Sequence, residues 1–94
     1  MPMFTPADSL YRTVGAGAVD QIIPQSPGST FSVHNRSGAV DLWVRVDGID
    51  PVPEQDGSLL VAPNSSRDLN PPTAGFPDLR VTATVAALYG MEYR

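Results

Sequence analysis

Histidine occurs once in the 94 residues, at His34, and cysteine not at all. One imidazole cannot build a multi-histidine metal site, and a serine–histidine–carboxylate triad has no local sequence signature here to support it. His34 therefore reads as a solvent-facing or hydrogen-bonded strand residue. Asp47, Asp50, Glu54 and Asp56 crowd the stretch DGIDPVPEQDG. Their spacing lacks the alternate ligands and following glycine of a helical calcium loop, so a solvated turn region is expected instead. Gly15-Ala16-Gly17 has neither the third glycine nor the strand and helix of a dinucleotide fingerprint. Paired carboxylates for glycoside hydrolysis need a known separation across a cleft and are not assigned. The expectation is a chain that is not an enzyme and holds no cofactor or metal.

The residues that stand out belong to recognition. In VDLWVRVDG, Val40 to Gly48, even positions are apolar and odd ones charged, except for Trp43, the only tryptophan. Trp43 thus shares a face with Asp41, Arg45 and Asp47. Either a second sheet or the N-terminal segment covers it, or it anchors an interface with Arg45 as its polar surround, since tryptophan, tyrosine and arginine dominate binding hot spots. Phe76, held between Gly75 and Pro77, would lose little entropy on docking, or it packs on its own domain.

Ten prolines and eight glycines punctuate the chain into short segments and leave no window for a long helix. Residues 1–17, with Pro2, Pro6, Gly15 and Gly17, read as an extended N-terminal arm whose Phe4, Leu10 and Tyr11 need a surface to lie on. From 18 to 94 the pattern is strands between turns: 18–23, 29–35, 40–47, 58–62, a short 67–69, and 79–89 as the clearest. Asn35-Arg36-Ser37-Gly38 reads as the turn of a hairpin joining the second and third of these. The fold expected is all-β, a small antiparallel β-sandwich or barrel of six to seven short strands.

A domain this small buries only roughly 60–65% of its unfolded surface, and without disulfides it is expected to gain stability from identical neighbours. The net charge of −4 disfavours nucleic acid. All six basic residues are arginine, whose planar fork suits pairing with carboxylates. No apolar run is long enough to span a membrane and no secretory signal opens the chain, so synthesis in the cytoplasm is expected. The sequons at Asn35 and Asn64 read as turn residues.

The strand VHNRSGAVDLWVRVDG, the acidic proline loop after it, GSLLVAPNSSRDL and the terminal LRVTATVAALYGMEY together resemble the small β-sandwich decoration, or cement, proteins of tailed bacteriophage capsids. The resemblance spans about residues 31–93. It implies a homo-oligomer, a trimer in the first instance, on the outer capsid surface and bound to the major capsid protein, with no catalytic residues. One other function fits the residues, a monomeric carbohydrate-binding module using Trp43, Phe76 and a tyrosine, and the resemblance also allows a second role within the virion, a head-to-tail joining or tail-associated subunit.

Overall fold

The computed structural model describes residues 3–4, 8–24, 30–70 and 78–93. Nine strands occur among them: β1 (Met3–Phe4), β2 (Asp8–Val14), β3 (Val19–Pro24), β4 (Phe31–Asn35), β5 (Leu42–Arg45), β6 (Leu59–Val61), β7 (Ser66–Leu69), β8 (Leu79–Thr82) and β9 (Ala87–Tyr93). Eight of them form two antiparallel layers, β2-β9-β4-β7 and β3-β8-β5-β6, and the two-residue β1 adds to β3 in parallel. The protein is all-β, a sandwich of two sheets. Successive strands cross from one layer to the other except at β5–β6, which is the connectivity of a jelly roll.

Each layer follows from period-2 patterning. Phe31 and Val33 of β4, Leu42 and Val44 of β5, Leu79 and Val81 of β8, and Tyr89 and Met91 of β9 point inward and are buried. One polar side chain joins them: Asn35 is 2% exposed, and its amide donates to Val40 O at 2.7 Å and Val61 O at 2.9 Å while its oxygen accepts from Ser37 N at 3.0 Å. Asn35 ends β4 in one layer, whereas Val40 and Val61 belong to the other side of the sandwich. The amide therefore stitches the layers together where a backbone crossover would otherwise leave unmet groups.

Four sequence expectations need correction. Nine strands lie among the described residues, where six or seven were expected. Residues 8–14 are not an arm apart from the domain: they pair with β9 over their whole length and send Val14 fully into the core. The prolines and glycines read as breaking that segment lie on either side of it. The hairpin expected across Asn35–Gly38 is a crossover between layers, because β4 pairs with β7 and β9, and β5 with β6 and β8. Finally, the continuous strand expected over 79–89 divides at a corner, with β8 in one layer and β9 in the other. Ala83 and Ala87 are buried on either side of that corner, Ala83 O accepts from Gly17 N at 2.9 Å, and Val85 between them is 52% exposed. Alternation passes through the corner unbroken, so it could not report it.

Candidate functional site

Trp43 and Arg45 lie on the outward face of the β3-β8-β5-β6 layer. Trp43 is half-buried at the edge of an open hollow of about 310 Å³, walled by Val40 and Asp41 beside it, Val85 from the β8–β9 corner, and Pro53 and Glu54 from the β5–β6 loop. That loop folds back over the sheet, so part of the indole's cover comes from its own chain. The Trp43 row continues across the sheet through Thr82 to Val19 on one side and to Leu60 on the other, with Val19 and Leu60 exposed.

Arg45 is not a free rim contact. Its Nε and Nη2 reach the two oxygens of Asp47 at 2.9 and 2.5 Å, and Nη1 donates to Asp56 O at 3.1 Å. The guanidinium fills the space beside Gly57, which has φ +86°, so a side chain at residue 57 would collide with it as well as strain the backbone. The hydrogen bond from Arg45 holds the Asp47 carboxyl below its ordinary range. Across the ladder from Arg45 stands Arg80, itself paired with Asp50 at 2.7 Å and Asp78 at 3.0 Å, and Gln21 donates to Asp78 as well. These arginines fasten loops to the sheet and do so with neutralised charge.

Tyr11 is on the opposite face of the molecule, the outside of β2-β9-β4-β7, and is 70% exposed. Directly opposite it on β9 is Gly90, and the tyrosine ring lies across that glycine so closely that a Cβ there would be 3.0 Å from two ring carbons. The Arg36 guanidinium stands 4.6 Å from the ring centroid. Tyr11, Arg36, His34, Met91 and Glu92 line a second hollow of about 350 Å³.

His34 meets Ser66 through Nδ1 at 2.6 Å and Glu92 through Nε2 at 3.1 Å, the three residue types of a hydrolytic triad. The neighbours decide what this means. Between β4 and β7, Thr30 bonds Asn70 at 2.6 Å and Ser32 bonds Asp68 at 2.6 Å, each pair directly following the strand register. His34–Ser66 is the third rung of that polar ladder, on a partly exposed sheet surface, and follows the same strand register.

The sequence candidates thus separate. Trp43 and Arg45 share one outer face, and Tyr11 occupies the other. Phe4 pairs through its backbone with Pro24 at the sheet edge and Leu10 pairs with Met91, while Phe76 lies outside the described residues. The Tyr11–Arg36 stack escaped sequence reading because it depends on Gly90 being opposite Tyr11, a fact of register. Among the described residues no group of three or more metal-ligating side chains gathers.

No family model matches the chain, and no curated protein matches its sequence. Among solved structures, it is similar to a de novo designed double-stranded β-helix determined by solution NMR, with a TM-score of 0.63 and 12% identity over 93% of this chain and 99% of that one. The likeness is one of fold.

Proposed function

We propose that this chain is a structural virion protein, a capsid decoration subunit that binds the major capsid protein and strengthens the shell through interfacial contact alone. The observation that carries the reading is the pair of aromatic positions, Trp43 in its open hollow and Tyr11 exposed beside Arg36, set on opposite outer faces. Beside Trp43 the Arg45 guanidinium is tied to Asp47, and beside Tyr11 the His34 ring is tied to Glu92, so aromatic surface makes up much of what each face offers a partner, with Asp41 and Glu54 at the rim of the Trp43 hollow. A thin domain with two such faces can contact a neighbouring copy on one side and the shell on the other. Repetition over a lattice then lets weak single contacts hold firmly.

Co-sedimentation of the purified chain with undecorated shells of the major capsid protein tests this. Trp43→Ala or Tyr11→Ala is expected to weaken attachment by about thirtyfold, the effect of removing an interface anchor. Unchanged attachment by both variants, each shown to be folded, would remove the support. Asp41 and Glu54 beside Trp43 also suit sugar hydroxyls, and this favours the carbohydrate-binding reading as the second one. Saturable quenching of Trp43 fluorescence by glycans, with no attachment to shells, is the result that reading requires.

A further inference from the structure

The two layers end on strands of very different character. β6 is three residues long and β1 two, and β7 carries Arg67 and Asp68, both exposed. Short length and charge are the ordinary ways to keep an edge from pairing with another chain. β2 is the long edge: it runs seven residues, pairs with β9 without a bulge, contains no proline, glycine or lysine, and of its two charged residues, Asp8 and Arg12, the arginine is turned to Asp20 at 3.9 Å.

The direction of its free groups follows from hydrogen bonds on the far side of β9. Leu88 O accepts from Arg36 N at 3.0 Å, and Leu88 N donates to Ser37 Oγ at 2.8 Å, so residue 88 turns its backbone toward β4. Antiparallel residues alternate in this respect, and Ala87, Tyr89, Met91 and Tyr93 therefore face β2 and exchange bonds with Val14, Arg12, Leu10 and Asp8. Ser9, Tyr11 and Thr13 are left with N–H and C=O pointing off the sheet, unpaired among the described residues. The Tyr11 ring does not shield them, because it is drawn inward over Gly90 and under Arg36.

We infer that β2 is a self-association edge: two copies pair β2 to β2, antiparallel, about a twofold axis at Tyr11. In that register Tyr11 opposes Tyr11, and Ser9 opposes Thr13 in both directions, each opposed pair exchanging two backbone bonds. The same register sets Arg12 against Leu10 and Asp8 against Val14, so no like charges meet. The strand is complementary to itself, and this singles out a second copy as its partner. The two four-stranded layers become one continuous sheet. The contact is mainly backbone, so it is weak and concentration-dependent, in the micromolar range. It deepens the proposed function by naming its self-association, and it makes the solution unit a dimer instead of the trimer that the capsid resemblance implies.

The test is light scattering over a concentration series with amide exchange resolved by NMR, on the chain and on Thr13→Pro. Proline at residue 13 removes one outward donor and leaves the ladder to β9 intact. The expected result is a mass twice the 10.0 kDa of the chain at high concentration. Ser9, Tyr11 and Thr13 amides should exchange about tenfold more slowly there than on dilution, and Thr13→Pro should be monomeric. A chain that is monomeric at about 100 μM, well above such an affinity, overturns the inference. So does a dimer that persists in folded Thr13→Pro, or exchange at those three amides that is fast at every concentration. If Thr13→Pro does not fold, the exchange rates of the unaltered chain decide. A monomer that still coats shells defeats this contact and leaves the proposed function standing, whereas a β2-paired dimer with no affinity for shells does the reverse.

Discussion

Alanine in place of Asn35 is expected to lower the stability of the domain by about 3–5 kcal/mol, the combined effect of stranding several buried partners. The amide serves Val40 O, Val61 O and Ser37 N at once, so its loss removes three hydrogen bonds around one nearly buried side chain. A shortened side chain also leaves a void beside the crossover. For a domain whose total stability is on the order of 5–10 kcal/mol, this is a large share of the whole. The loss should appear as a fall in melting temperature of more than ~12 °C. Because Val40 and Asp41 wall the Trp43 hollow, the same change should disturb Trp43 fluorescence before global unfolding. A loss under about 1 kcal/mol, in urea titrations with an unchanged slope, would show that the crossover does not depend on this amide.

Tyr89→Phe is expected to cost about 1.5–3 kcal/mol at neutral pH, as for a hydrogen bond to a charged group. Tyr89 is fully buried at the centre of its layer, and its hydroxyl donates to Asp20 Oδ2 at 2.7 Å, crossing to β3 in the other sheet. Arg12 Nε stands 3.9 Å from the same oxygen. Burial first, and then the Asp20 carboxylate, push the phenol well above its ordinary value near 10. The folded chain thus holds this proton more tightly than the unfolded chain. The contribution is complete below about pH 10 and falls by about 1.4 kcal/mol per pH unit above it, where the unfolded tyrosine ionises. Denaturation between pH 8 and about pH 11.5, a window spanning the ordinary phenol value, should show the gap between the unaltered chain and Tyr89→Phe closing as pH rises. A gap constant through that range would mean that Tyr89 is not held as a buried neutral phenol.

Much of the fold can be read from local pattern. Residues 19–24, 31–35, 42–45 and 59–61 fall where β-branched alternation between proline and glycine turns places them. Which layer each strand joins is another matter, because alternation is identical for a strand that turns back on its neighbour and one that crosses the core. The Asn35–Gly38 crossover and the corner at 83–86 both hide in this way, and the corner exposes Val85, which the pattern assigns inward. β2 was obscured differently, since Pro2, Pro6, Gly15 and Gly17 flank a clean run, Asp8 to Val14, and suggest an arm across it.

The site was legible in part for the same reason. Trp43 stands out by type and by breaking its own alternation, and it does lie on an outer face. Its cover by Pro53 depends on a thirteen-residue loop, 46–58, folding back, which no periodicity encodes. Arg45 looks like a rim residue in sequence yet is fixed to Asp47 and Asp56, because the loop brings both carbonyl and carboxylate to it. Tyr11 carried no more signal than any tyrosine until Gly90 was placed opposite.

The central claim is that this molecule works by being bound in many copies, and the number of copies in each purified virion, measured by quantitative mass spectrometry against the major capsid protein, tests it most directly. Decoration of a lattice predicts hundreds per particle, in fixed ratio to the capsid subunit. Twelve or fewer would assign the chain to a joint or tail, and none at all would contradict the account.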